Sequence, residues 1–153
     1  MKKTSLSLTL LALLTSLGIA ALSLDGATAA THDGMRGVPG VFDATIAAAR
    51  TVHELGLRLQ INTTVTAANV TELPAILRLA LDAEVTLWSV FFLVPTGRGR
   101  LLGTLDALQA EEVLHWLHDI SDLVAVKSTE APHYRRIAIQ RAAVDDVDVA
   151  FPP

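Results

Sequence analysis

The feature that most constrains this chain is a regular alternation of short β-prone runs with amphipathic helical stretches. Ile19-Ala20-Ala21-Leu22-Ser23-Leu24 reads as a short buried strand, ended by the turn pair Asp25-Gly26. A loop rich in Gly and Thr is expected from there to Gly40. Phe42, Ile46, Ala49, Val52 and Leu55 then recur at helical spacing, with Gly56 where a helix-terminating glycine belongs. Residues 57–65 alternate between apolar and polar, with Thr63 at one of the apolar positions, as a strand does. Asn69 and Thr71 are candidate N-caps, Glu72 lies three residues after Asn69 as in a capping box, and Leu73, Ile76, Leu77, Ala80 and Leu81 mark one helix face. Residues 86–94 form a β-rich run closed by Pro95; 105–122 read as helix, 123–127 as strand and 132–141 as a short helix.

Strand–helix alternation of this kind builds βαβ units on a parallel sheet. Four strands are about half of an eight-stranded barrel, and a closed one needs roughly 200 residues or more, against 153 here. The expected fold is therefore α/β, a partial (half) TIM-type barrel of about four parallel strands. An apolar helix over 1–17, a barrel portion over 18–141 and an acidic, disordered tail over 142–153 complete the expected organisation.

Composition narrows the function classes. With 51% hydrophobic and 18% charged residues the chain can bury a core. A net charge of −4 and the lack of a basic block argue against a nucleic-acid surface. The chain holds no cysteine, which excludes disulfides, thiolate zinc sites, cysteine nucleophiles and any cluster held by its own thiolates. At the start, Lys2 and Lys3 precede an interrupted apolar run, and Ala27-Thr28-Ala29-Ala30 follows; together these fit the secretory pattern. The run is too broken to read as a membrane span.

Barrel strands turn one face to the outer helices and the other to the lumen, and barrel sites form at strand C-terminal ends. Alternation turns Ser23 and Asp25 inward on the first strand, and Gln60, Asn62 and Thr64 inward on the second. Thr96-Gly97-Arg98-Gly99-Arg100 is a basic glycine loop after a strand end; its arginines can meet a carboxylate or phosphate, although its spacing fits no nucleotide fingerprint. Glu112/His115 and Glu130/His133 form Glu-x-x-His pairs, but a di-iron bundle needs further helices that an α/β chain does not offer, and solvated helix faces are the expectation. Trp88 and Trp116 read as core.

Longer strings carry a resemblance. Ser23-Leu24-Asp25-Gly26, Thr31-His32-Asp33, Arg36-Gly37-Val38-Pro39-Gly40 and Phe42-Asp43 are followed by Gln60-Ile61-Asn62-Thr63-Thr64-Val65-Thr66, by Trp88-Ser89-Val90-Phe91-Phe92-Leu93-Val94-Pro95-Thr96-Gly97-Arg98-Gly99 and by Thr129-Glu130-Ala131-Pro132-His133-Tyr134-Arg135-Arg136. In this order and spacing they resemble the later half of radical SAM barrels. The likeness is to the branch with SPASM-type extensions and to the SAM-dependent decarboxylases of heme synthesis.

The resemblance implies that the inner face helps to hold S-adenosylmethionine. Ser23 and Arg36 would contact its ribose or carboxylate, Asn62 and Thr63 would lie close by, and Gly97, Arg98 and Gly99 would border the substrate side. It also implies a 4Fe–4S cluster, for which this chain has no cysteine ligand, so radical chemistry is not expected of the chain alone. A separately encoded cysteine-bearing half is the partner that follows, with self-association through open sheet edges as a second expectation and neither nucleic acid nor membrane as a partner. The family's strand would occupy residues 18–26, inside the supposed cleavage region, so a cytoplasmic location is the first expectation. The alternative is a small exported, non-catalytic α/β protein with a cleavable signal peptide.

Overall fold

A computed structural model describes residues 18–129 and 133–150. The expected helix over 1–17, Glu130 of the second Glu-x-x-His pair and residues 151–153 lie outside the described residues. The elements run β1 (Ile19–Ser23), α1 (Ala29–Arg36), α2 (Val41–Glu54), β2 (Arg58–Val65), α3 (Leu73–Asp82), β3 (Leu87–Phe92), α4 (Ala107–Asp119), β4 (Val126–Thr129) and α5 (His133–Ala150). Short 3-10 turns cover Val70–Glu72 and Gly97–Leu101.

The four strands form one sheet in the order β1-β2-β3-β4, and every neighbouring pair is parallel. This is the half-barrel architecture that the alternation implied. Its register places Ala20 beside Leu59, Leu22 beside Ile61 and Ile61 beside Trp88. Cα partners in a ladder share a face, so these residues form one continuous apolar surface. Onto it pack Ala49 and Val52 of α2, Leu73, Ile76 and Leu77 of α3, and Val113 and Leu117 of α4. Each of the Val, Leu and Ile side chains among them contributes about 1.5–3 kcal/mol when fully buried. α5 docks on α4 through Ile137 and Leu114, with Phe92 and Tyr134 against them.

The structure differs from the sequence reading at four places. The segment read as a Gly/Thr loop contains α1, started by Thr28, whose side chain accepts from the Thr31 N–H, and stopped by left-handed Gly37. The short polar helix has no apolar stripe for a periodicity argument to find. Asn69 makes no side-chain cap to the turn it opens; its amide is engaged elsewhere, as is Glu72. A complete capping box forms instead at α4, between Asp106 and Gln109. β4 begins three residues later than expected, because Val124 packs into the core as part of the turn leaving α4. Finally, helix continues to Ala150 where an unstructured tail was expected from residue 142.

Candidate functional site

The C-terminal ends of β1 and β2 meet at Asp25, whose polar atoms are engaged by four residues from three other segments. Its backbone N–H donates to His32 Nδ1 at 2.9 Å, and its carbonyl accepts from Asn69 Nδ2 at 2.7 Å. Its Oδ1 accepts from the Thr64 N–H at 2.7 Å, and its Oδ2 lies 2.6 Å from Arg36 Nη2. A carboxylate that is 4% exposed is tolerable because it is paired and hydrogen-bonded at both oxygens. These contacts fix the turn after β1, the end of β2, α1 and the turn before α3 relative to one another.

His32 is fully buried, and burial lowers its pKa below the usual histidine value, against the raising influence of the Asp25 carboxylate. Because Nδ1 accepts the Asp25 N–H, the neutral ring carries its proton on Nε2, which has no hydrogen-bond partner. Asn69 Nδ2 also donates to Thr64 O, and its Oδ1 accepts from Thr66 N–H. Glu72 reaches from the 3-10 turn before α3 to the Ala27 N–H and the Thr31 hydroxyl, tying down the start of α1. Asp33 caps the next helix by accepting from Gly40 N–H and Phe42 N–H, and the Phe42 bond leads the effects that hold its carboxyl below the usual range.

The sheet separates the expected residues onto two faces. In β2, Leu59, Ile61, Thr63 and Val65 are buried, whereas Gln60, Asn62 and Thr64 are half-buried on the opposite face. Thr63 therefore lies on the packed side: its hydroxyl donates to Leu24 O at 2.7 Å and accepts from Trp88 Nε1 at 2.9 Å. Trp88 in turn meets Trp116 edge to face at 6.0 Å.

On the other face the register aligns Ser23 with Asn62, Asn62 with Ser89, and Ser89 with Lys127. Gln60 Nε2 occupies Asn62 Oδ1 at 2.7 Å, leaving the Asn62 amide donors for another acceptor. Ser89 Oγ is buried without a partner.

The basic glycine loop folds as the 3-10 turn holding Gly97, Arg98 and Gly99. Gly99 lies close to Leu93, and a cavity of about 220 Å³ opens between this turn and α1, lined by Gly34, Met35, Gly37, Leu101 and Leu102. The end of this turn thus borders α1 through Leu101. In the first Glu-x-x-His pair, His115 turns to Glu111 at 3.5 Å rather than to Glu112. Among the described residues no three His, Asp or Glu side chains converge as a metal site, and no helix is long and apolar enough to cross a membrane.

Sequence reasoning assigned no role to His32, Ser89 or Lys127 and read Asn69 and Glu72 as caps. Strand alternation places Ser89 and Lys127 on the same face as Asn62 once the register is known. Nothing local marks His32.

No family model matches the chain. It is 37% identical over 131 residues to the AdoMet-dependent heme synthase of Methanosarcina barkeri, a match covering 84% of this chain and 38% of that protein. The protein of the same name from Nitratidesulfovibrio vulgaris is 40% identical over 132 residues, covering 84% and 36%. The pre-heme d1 synthase of Dinoroseobacter shibae is 35% identical over 78 residues, covering 51% and 19%. The crystal structure of Streptococcus suis SuiB bound to S-adenosylmethionine superposes with a TM-score of 0.62 at 17% identity, over 78% of this chain and 28% of that one. The chain therefore spans well under half the length of the relatives it matches.

Proposed function

From the premise that this chain is a homologue of the AdoMet-dependent heme synthases with a radical SAM type of fold, we propose that it forms the S-adenosylmethionine-facing half of such a catalytic domain. The observation that carries this reading is the polar row on the sheet face opposite the helical core. Ser23, Asn62 and Ser89 lie side by side there, with a buried hydroxyl that has no protein partner. Such unspent hydrogen-bonding capacity suits the vicinal hydroxyls of a ribose. Ser23 and Asn62 would hold them, and the Asp25 hub would keep both strand ends in place. Arg36 pairs with Asp25 through Nη2, while its buried Nε has no protein partner and is available to a ligand's ribose or carboxylate oxygen.

In this class of enzyme the reductive cleavage of S-adenosylmethionine supplies the radical chemistry. The donor set of this chain does not fit a 4Fe–4S cluster, because its 153 residues include no cysteine. No step is therefore assigned to the chain beyond binding and orienting. On this reading the thiolates come from a cysteine-bearing segment outside these residues, and catalysis needs both. A cytoplasmic location belongs to the same reading. Cleavage near Ala30 would remove β1 and Ser23, so mass spectrometry finding a natural N-terminus there would overturn it.

The direct test is calorimetric titration of the purified chain with S-adenosylmethionine. Saturable binding that weakens at least ~10-fold in Asn62→Ala, as loss of one or two good hydrogen bonds implies, is the expected result. Absence of binding, or equal binding by the variant, would sink the proposal.

A further inference from the structure

The sheet face opposite the helical core carries a second chemical character besides hydroxyl and amide groups. Lys127 lies on that face: its neighbours in β4, Val126 and Ser128, align with the core residues Trp88 and Val90, and Lys127 itself aligns with Ser89. Strands in a ladder are about 4.8 Å apart, which brings the lysine within one strand spacing of Ser89 and two of Asn62. Lys127 is exposed and makes no ion pair among the described residues.

The hydroxyls beside it lack partners as well. Ser89 is 1% exposed and its Oγ has no hydrogen-bond partner. Thr129, on the same face two residues beyond Lys127, has a buried and unpartnered Oγ1. Unpaired buried polar atoms are uncommon in folded proteins and call for an explanation.

The charge on this face has one sign. The chain as a whole carries −4, yet among the residues of the four strands none is acidic. Asp25, just past β1, is already neutralised by Arg36. Among the described residues Lys127 is therefore a cation with no ion-pair partner, beside hydroxyl groups on a face to which the strands contribute no carboxylate.

We propose that Lys127, with Ser89 and Thr129, forms a carboxylate-binding position on the sheet face opposite the helical core. An ammonium group supplies charge and rotatable donors, and the two hydroxyls donate to a second oxygen. The inference rests on the proposed function for the identity of its ligand. Two sources of a carboxylate follow from that reading: the amino-acid end of S-adenosylmethionine, and a tetrapyrrole bearing propionate groups.

Four ligands separate these sources in titrations of the purified chain and of Lys127→Met, followed by calorimetry or quenching of tryptophan fluorescence. S-adenosylhomocysteine carries the carboxylate of the cofactor, and methylthioadenosine lacks it. Hemin carries two propionates, and its dimethyl ester carries none. Loss of one charge-assisted contact should weaken a carboxylate ligand by about 10-fold or more.

A weakening confined to S-adenosylhomocysteine, with methylthioadenosine unchanged, assigns the position to the cofactor. A weakening confined to hemin, with the diester unchanged, assigns it to substrate. In either case Lys127→Arg should recover part of the affinity. Equal binding of both carboxylate ligands by the wild type and Lys127→Met overturns the proposal, as does a failure of the wild type to bind either. Methylthioadenosine reads the adenosine site separately: if it does not bind while hemin binding still depends on Lys127, the cofactor reading fails and the carboxylate position stands.

Discussion

Arg36 Nη2 lies 2.6 Å from Asp25 Oδ2, so the last residue of an eight-residue polar helix is anchored to the end of the first strand. The pair is asymmetric: the carboxylate side chain is 5% exposed and the arginine side chain 37%. Removing the buried partner should therefore cost more than removing the exposed one. Asp25→Ala strands the Thr64 N–H as well as the guanidinium, and we expect it to lower stability by about 3 kcal/mol, with about 1–2 kcal/mol for Arg36→Ala. Urea denaturation of both variants and of the double variant measures this. The double variant should lose less than the sum of the two, and strict additivity would contradict the coupling.

The buried imidazole gives stability a pH dependence of known sign. Burial holds the folded-state pKa of His32 below 6.5, so at mildly acidic pH the unfolded chain binds the extra proton and the folded chain does not. His32 thus favours the folded state fully above pH 6.5, and this contribution declines as pH falls below that value. His32→Gln retains an acceptor for the Asp25 N–H without titrating. Denaturation midpoints across this range should slope upward with pH in the wild type and flatten in the variant. An equal slope in both would assign the effect to another group.

Thr63 lies on the packed side of β2 as a two-way link from Leu24 O to Trp88 Nε1. Thr63→Val preserves shape while leaving an acceptor and a donor buried without partners, a loss of about 2–3 kcal/mol. Tryptophan emission should shift in the folded variant as the indole N–H loses its bond. If cofactor affinity fell while stability and emission stayed unchanged, Thr63 would be a direct ligand rather than a structural link.

Gly26 allows α1 to sit against the strand end. A Cβ there would stand 2.6 Å from the His32 backbone nitrogen and 2.8 Å from Thr31 Cβ. Because one of the opposed atoms is backbone, Gly26→Ala must displace the start of α1, with a cost of about 1–3 kcal/mol. Hydrogen exchange at the Asp25 amide should accelerate markedly. Wild-type protection at that amide would show that the close approach is relieved elsewhere.

β1 and β4 end the strand order, so each has one edge without a strand partner among the described residues. Unpaired edges favour pairing with another chain. Sedimentation velocity of the purified chain should show association that grows with concentration. A monodisperse monomer over a hundredfold range would count against it.

Much of the fold was readable because β2 obeys a strict two-residue period: Leu59, Ile61 and Val65 enter the core, while Gln60, Asn62 and Thr64 do not. The same period put Ser23 and Asn62 on one face before any register was known. It could not reveal α1, whose position depends on the contact from Arg36 to Asp25 rather than on an apolar stripe. Asn69 and Glu72 had the spacing of a capping box, yet both serve contacts more than forty residues away, to Asp25 and to Ala27 and Thr31 respectively. Contacts of that range leave no local signature. The row joining Ser89 to Lys127 stayed hidden for a related reason, since alternation gives a residue its face but not its neighbour on the next strand.

The parallel register also governs how the chain reaches this shape. Ile19 must find Arg58, Gln60 must find Leu87, and Trp88 must find Val126, so no ladder closes until a whole helical crossover has been gathered in. Large loop-closure entropies of this kind make the folding barrier high for the chain length. The sheet is expected to assemble late and slowly relative to its helices, and mutations in the crossovers are expected to alter the rate of assembly even where they leave the finished site untouched.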